Sequence, residues 1–136
     1  MALTDPVLAG PSSGRTVTYG SGSTAELKIA GEQTGGAWAV IDWHVRAGDE
    51  PPMHKHTRED ETVYVVEGSI TAYVGDQTIE VEAGSYAALP NNVAHGLTVC
   101  AVSDLAAKGS APSPWPRTCI EFLPNSKLKI IVIEEI

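Results

Sequence analysis

The sequence predicts an all-β domain of short antiparallel strands, arranged as a sandwich or a barrel, and three observations lead to this prediction. Thirteen glycines and nine prolines among 136 residues suit tight turns and argue against a helix bundle. Segments rich in β-branched and aromatic residues recur, with turn residues every several positions. No long segment repeats its apolar residues with the 3.6-residue period of a helix.

The segments with strand character follow one another along the chain. A hairpin is expected around Gly75 and Asp76, because glycine at the first central position suits a two-residue turn. A short helical turn is predicted at 103–108, with Ser103 as its cap. The predicted strands are 16–19, 25–29, 38–46, 62–66, 69–74, 77–82, 85–89, 95–102, 118–122 and 128–133.

Chain length and composition indicate one globular domain preceded by a short arm. Residues 1–14 are rich in proline, serine and glycine, and we expect them to form a flexible N-terminal arm. The remaining residues, 15–136, suit a single domain with one hydrophobic core. Hydrophobic residues at 43% and charged residues at 19% are typical of a globular protein.

The excess of acidic residues argues against two classes of partner. Nine basic and 17 acidic side chains give a net charge of -8, which would repel nucleic acids and anionic membranes. No apolar run approaches the ~20 residues of a membrane span, and the N-terminus lacks the features of a secretory signal. We therefore expect a cytoplasmic protein in which Cys100 and Cys119 are reduced thiols. A disulfide between neighbouring strands is the alternative.

Two histidines, a glutamate and a distant histidine form the most informative pattern. His54 and His56 are two residues apart, so their imidazoles point to the same side of an extended chain. Glu61 and His95 each stand at the start of a later strand, and two imidazoles with a carboxylate are a common transition-metal set. The neighbouring acidic residues 59–60 are expected to be solvated and paired with basic neighbours. The alternative is that all of these are ordinary surface residues.

The spacing of these residues resembles the first sequence motif of the cupin superfamily. That motif reads G-x5-H-x-H-x4-E-x6-G. Every fixed position is matched, by Gly48, His54, His56, Glu61 and Gly68.

The second cupin motif, G-x5-P-x-G-x2-H-x3-N, is matched in part. Gly84, Pro90 and His95 stand at fixed positions. Asn92 replaces the usual glycine and Val99 replaces the usual asparagine. Because asparagine also accepts a positive φ in turns, we expect Asn92 to serve at its position.

The resemblance implies a small jelly-roll barrel, so that residues 15–136 would form a single cupin domain. It also implies that one divalent transition metal binds to His54, His56, Glu61 and His95. Fe, Mn, Ni, Co, Cu and Zn all suit these donors, so the metal is not identified. Residues 51–68 are similar to the small quercetin 2,3-dioxygenase-like cupins, in which Glu61 would be both a metal ligand and the catalytic base.

This similarity predicts a metal-dependent dioxygenase that acts on a small phenolic or enolisable substrate. The metal would hold the substrate oxygen as an anion after Glu61 takes its proton. A redox-neutral cyclase, isomerase, lyase or decarboxylase would use the same donors, and a non-catalytic ligand-binding protein is the third alternative. Consumption of O2 separates the first class from the second.

Three further residues are candidates for substrate binding. His44 lies on the strand before the first motif, on the opposite face from Ile41 and Trp43. It is either a substrate-binding group or a surface residue beside a carboxylate. Tyr73 and Tyr86 could line a pocket with their hydroxyls, although aromatic strand residues usually belong to the core.

The C-terminal segment predicts a homodimer. Residues 128–133 are apolar except for Lys129, and an exposed sheet edge of this kind would aggregate. A two-fold interface would cover the edge in both copies at once. The competing expectation is that the segment inserts into its own domain and the protein is a monomer.

Overall fold

The computed structural model describes residues 3–100 and 128–135. The predicted turn at 103–108, the predicted strand at 118–122 and Cys119 lie outside these ranges. No helix within them is long and apolar enough to cross a membrane. Apart from a short 3-10 turn at Gly31–Thr34, the regular elements of the described residues are all strands. These are β1 (Arg15–Tyr19), β2 (Ser23–Ile29), β3 (Trp38–Val45), β4 (Asp60–Glu67), β5 (Ser69–Val74), β6 (Gln77–Glu82), β7 (Tyr86–Leu89), β8 (His95–Cys100) and β9 (Leu128–Glu135).

The strands form two antiparallel sheets. The larger sheet has the order β1-β2-β3-β9-β4-β7, and the smaller has the order β6-β5-β8. Gly68, with a φ of 87°, separates β4 from β5 and lets the chain pass directly from one sheet to the other. The all-β, jelly-roll prediction is confirmed. In the described residues, however, the hydrogen-bonded ladders end at edge strands and do not close into the expected barrel.

Side chains from both sheets meet in one core. Val63 and Val65 of β4, Ile70 of β5 and Val99 of β8 are each at most 2% exposed. Buried and less buried residues alternate along β4, so Glu61 lies on the same inward face as the two valines. A carboxylate of the first motif is therefore carried into the interior by the strand's own period.

The C-terminal strand lies in the middle of the larger sheet. Its backbone pairs with β3 on one side and with β4 on the other, so that Ile131 is opposite both Asp42 and Tyr64. The segment 128–133, expected to form an exposed edge, is thus paired on both sides within its own chain. This arrangement agrees with the competing expectation that the segment inserts into its own domain. An exposed C-terminal edge is therefore no longer an argument for a homodimer. The homodimer itself stays a prediction.

Two predictions about turns are confirmed. Val74 pairs with Gln77 across the two-residue turn, and Gly75 has a φ of 60°. Asn92 also has a φ of 60°, so it adopts the conformation expected of a residue that replaces the motif glycine. The turn before β8 keeps its shape despite the substitution.

Candidate metal centre

Backbone hydrogen bonds between the two motifs bring the four predicted ligands together. His54 N donates to the His95 carbonyl at 3.0 Å, and His95 N donates to the His54 carbonyl at 2.7 Å. Asn92 N donates to the His56 carbonyl at 2.7 Å. Because the first motif pairs with the start of β8 in this way, side chains that are distant in sequence face the same point.

Three imidazoles and one carboxylate converge at this point. One ligand atom from each of His54, His56, Glu61 and His95 lies within 4.8 Å of the others. Glu61 Oε2 is 3.0 Å from His56 Nε2 and 3.3 Å from His95 Nε2. Glu61 and His95 are buried, whereas His54 and His56 are partly exposed. The cluster is therefore closed on the side of β4 and β8 and accessible along the loop of the first motif.

Hydrogen bonds at the outer ring nitrogens orient two of the histidines. His54 Nδ1 lies 2.8 Å from the Pro52 carbonyl, which only accepts, so Nδ1 carries the proton and the neutral ring presents its Nε2 lone pair. His56 Nδ1 lies 3.0 Å from Glu59 Oε1, which favours the same tautomer. Partners of this kind fix the orientation of metal-binding imidazoles and raise their basicity.

The expectation that residues 59–60 are solvated holds for the exposed Asp60 and is corrected for Glu59; the described partners of both differ from the basic neighbours expected. Glu59 contacts His56, and its side chain is only 22% exposed. Asp60 Oδ1 accepts hydrogen bonds from the backbone N and the side-chain Nδ2 of Asn91, at 2.8 and 2.9 Å. The two carboxylates therefore support the cluster and join the first motif to the second.

The donor atoms fit a divalent transition metal. Both ring nitrogens of His95 are buried and make no hydrogen bond to any described residue, which is costly unless a bound group satisfies them. Three imidazole nitrogens and a carboxylate oxygen are donors that the six candidate metals accept. The four predicted ligands can therefore hold the predicted ion, and their donor types do not select one metal.

An apolar cavity of about 290 Å³ includes this cluster in its wall. Its apolar lining comes from both sheets, with Ile41, Val63 and Ala87 from the larger sheet and Ile70 and Leu97 from the smaller. The metal-binding group thus opens into a space between the sheets where an organic molecule can be enclosed.

The predicted substrate-binding residue His44 is not part of this lining. Its Nε2 is 3.6 Å from Asp42 Oδ1, and its side chain is 50% exposed. Ile41 and Trp43 line the cavity, so the alternation along β3 turns His44 to the opposite face. The division of β3 into two faces, as the sequence predicts it, is confirmed.

The two predicted tyrosines also lie outside the lining. Tyr73 Oη accepts a hydrogen bond from Thr98 Oγ1 at 3.2 Å. Tyr86 is 69% exposed and stacks on Tyr64 with their ring centroids 4.4 Å apart. The described contacts of these residues are with the protein itself, and their role in substrate binding stays a prediction.

Three polar residues of the lining were missed by the sequence analysis: Tyr19, Trp43 and Asp49. Trp43 Nε1 donates a hydrogen bond to Tyr19 Oη. Asp49 Oδ2 accepts from the hydroxyls of Ser21 at 2.9 Å and Ser23 at 2.6 Å. These hydrogen bonds hold the pKa of Asp49 below its ordinary value, and the bond from Ser23 has the largest effect. Strand alternation could have indicated Trp43, but Tyr19 and Asp49 come from segments that no motif spacing connects.

The middle of the chain matches a known protein family in sequence. The family model of the Cupin domain matches residues 41–106, a range that includes all four candidate ligands. The two-sheet fold and the cluster of three histidines and one glutamate agree with this match. Residues 41–106 therefore match a cupin domain in sequence, and the fold of the described residues agrees with this match. No curated protein matches its sequence.

Solved structures with the same fold are similar at low sequence identity. An RmlC-like cupin from Shewanella frigidimarina NCIMB 400 is 15% identical with a TM-score of 0.64, covering 96% of this chain and 91% of that one. KdgF from Halomonas sp. is 12% identical with a TM-score of 0.62, covering 95% and 94%. Pac13 from Streptomyces, a nucleoside dehydratase, is 11% identical with a TM-score of 0.64, covering 96% and 82%. Likeness at these identities supports the fold alone.

Proposed function

We propose that this protein is a metal-dependent enzyme of the cupin type, a dioxygenase that acts on a small phenolic or enolisable compound. The observation that carries the proposal is the position of Glu61, whose carboxylate lies against two imidazoles in the wall of an apolar cavity. A divalent metal held there by His54, His56, Glu61 and His95 would stabilise a substrate oxygen as an anion.

Glu61 is the residue suited to take the substrate proton. Its carboxylate is buried and faces the cavity, so a hydroxyl of a substrate bound there can approach it. His56 Nε2 lies 3.0 Å from the carboxylate, and the His56 ring is oriented by Glu59. The proton leaves the substrate oxygen, joins Glu61, and leaves an electron-rich substrate anion in the cavity.

Cavity size and charge restrict the substrate. The volume of about 290 Å³ is roughly twice that of an engineered cavity that binds benzene, so a compound of one or two rings fits. Among residues 3–100, the lining contains the carboxylates of Asp49 and Glu61 but neither lysine nor arginine. A phosphorylated substrate would therefore meet no protein cation. Neutral compounds that ionise only on binding are favoured.

In the proposed reaction O2 is the second substrate and both of its atoms enter the product, so that the organic substrate is oxidised and O2 is reduced. A redox-neutral elimination is the second candidate, because it begins with the same removal of a proton by Glu61. Pac13, which has this fold, is a nucleoside dehydratase.

Metal analysis followed by O2 uptake tests the proposal. The protein is purified without added metal and is also reconstituted with each candidate metal. Elemental mass spectrometry should find one divalent ion per chain. At least one of these samples should consume O2 with a panel of phenols and enols. Product without O2 uptake would indicate the redox-neutral class, and thermal stabilisation by a ligand without product would indicate a binding protein. Failure of every metal to bind would contradict the proposal.

A further inference from the structure

A second polar group faces the cavity from β1 and β3 of the larger sheet. Tyr19, the last residue of β1, and Trp43 of β3 both line the cavity. The two side chains are joined by a hydrogen bond in which Trp43 Nε1 donates to Tyr19 Oη. An indole nitrogen can only donate, so the phenol oxygen must be the acceptor.

The proton of the Tyr19 hydroxyl is therefore left for another acceptor. Ser23 is the second polar neighbour of this phenol; its Oγ gives its own proton to Asp49 Oδ2 at 2.6 Å and accepts from Arg46 N at 2.8 Å, which leaves one lone pair that can take the Tyr19 proton until a substrate oxygen replaces it. Burial raises the pKa of Tyr19, and the negative charges of Asp49 and Glu50 add to this, while side-chain hydrogen bonds with Trp43 and Ser23 lower it. The phenol is neutral near pH 7 and keeps its proton.

We propose that Tyr19 is a specificity-determining residue that donates a hydrogen bond to a neutral oxygen acceptor, a carbonyl or an ether, on the substrate. This inference rests on the proposed function, in which the ionisable oxygen of the same substrate lies at Glu61. The substrate class is then a compact, uncharged molecule with two oxygen functions, one that ionises and one that only accepts. Trp43 is a positioning residue, since its indole holds the phenol oxygen in the cavity wall.

The charges around Tyr19 explain why the acceptor should be neutral. Asp49 lines the cavity beside Tyr19, and its carboxylate is held in place by the backbone N of Ser21 at 2.9 and 3.0 Å as well as by two hydroxyls. A carboxylate or phosphate of the substrate would be repelled there. A carbonyl or ether oxygen gains the hydrogen bond without meeting this repulsion.

Matched ligand pairs test the proposal at equilibrium, without turnover. The probes are the positional isomers of hydroxyindanone and the corresponding hydroxyindanes, which lack only the carbonyl. Dissociation constants are measured by calorimetry on metal-loaded protein under nitrogen. The wild-type protein should bind at least one ketone about three to ten times more tightly than its partner, as one neutral hydrogen bond would provide. Tyr19→Phe should abolish this preference while its affinity for the hydroxyindane stays unchanged.

Control variants separate this inference from the proposed function. Tyr64→Phe removes a hydroxyl from a tyrosine outside the cavity lining and should keep the wild-type preference. Trp43→Phe should reduce the preference, because the phenol loses its orienting donor. Metal content should be unchanged in Tyr19→Phe, so a loss of metal would point to the cluster and not to Tyr19. A wild-type protein without preference for any ketone, or a Tyr19→Phe protein that keeps the preference, would overturn the inference.

Discussion

His54 and His95 pair their backbones in an isolated antiparallel bridge, and their imidazole centroids are 4.6 Å apart. The bridge lies outside the regular ladders and joins the loop of the first motif to the beginning of β8. Since the backbone of each histidine holds that of the other, the distance between these two candidate ligands is set before any ion binds. A preformed site of this kind requires little rearrangement on metal binding.

The first prediction concerns the ligands. Loss of a residue that supports a metal ligand typically lowers metal affinity about 10- to 100-fold. Replacing both His54 and His56 by alanine removes two donors and should lower the affinity further. The apo protein should remain folded and be less stable than the metal-loaded one, by the usual linkage of binding to folding. Elemental analysis after dialysis measures the effect. His44→Ala removes a histidine outside the cavity and is the control; full occupancy in the double variant would refute the ligand assignment.

A second prediction concerns Glu61→Gln, which keeps the shape of the side chain but removes its charge and its ability to take a proton. Activity should fall about 10²- to 10⁴-fold, the usual contribution of a general base, while metal content falls much less because three imidazoles remain. Turnover is compared with metal content on the same samples. Equal activity in the glutamine variant would exclude a role for Glu61 as the base.

The third prediction separates Glu59 from the ligands. Glu59→Ala should weaken metal binding about 10- to 100-fold, because His56 loses the carboxylate that orients its ring. Glu59→Gln keeps an oxygen that can accept from His56 Nδ1 and should restore most of the affinity. Titration with a competing chelator measures both variants. If the glutamine variant were as weak as the alanine variant, the negative charge and not the hydrogen bond would be the contribution of Glu59.

The fourth prediction is a dependence of stability on pH. Hydrogen bonds from Ser23 and Ser21 hold the pKa of Asp49 below its ordinary value of 3.8 in the folded protein. A lowered carboxyl pKa contributes stability above the unfolded value, and this contribution is lost as the pH falls through the folded value. Asp49→Asn should therefore lower Tm near pH 7, and its difference from wild type should shrink below about pH 3.8.

Asp76→Asn is the charge-matched control for this experiment, because it removes the same charge from the exposed turn between β5 and β6. Its Tm should stay close to that of the wild type near pH 7. A difference between wild type and Asp49→Asn that is constant from pH 7 to pH 3 would contradict the assignment to the Asp49 carboxylate.

The fifth prediction concerns the C-terminal strand. Deleting residues 128–136 removes the partner that β3 and β4 share, so the variant should lose its cooperative unfolding transition and aggregate. Circular dichroism on heating and light scattering measure this. Light scattering on the full chain also tests the predicted homodimer, which requires a measured mass of two chains. A truncated protein that stays folded would show that the pairing of β9 is dispensable.

The candidate site could be predicted from the sequence to the extent that its residues are close in sequence or stand at motif positions. The spacing of His54 and His56 placed both rings on one side of the chain, and the four candidate ligands do converge. The tolerance of asparagine for a positive φ likewise anticipated the conformation of Asn92. In these cases local stereochemistry decides the outcome.

The remaining features depend on contacts that no local pattern encodes. Tyr19 reaches the cavity only because β1 pairs with β2, and β2 with β3, which brings it to Trp43. The sequence suggests that Glu59 is solvated, since its contact with His56 forms only because the turn before β4 folds back. The position of β9 could not be deduced either, since an apolar strand suits an edge covered by another copy as well as the centre of a sheet.

The central position of β9 also affects how the protein is made. β3 and β4 leave the ribosome long before residues 128–135, and until then the side of each strand that β9 will occupy has no partner. Pairing over such sequence distances is slow, and unpaired edges invite association between nascent chains. A chain interrupted before residue 128 would hold the metal-binding residues on an incomplete sheet. The larger sheet can therefore be completed only after synthesis of β9, which joins its two parts.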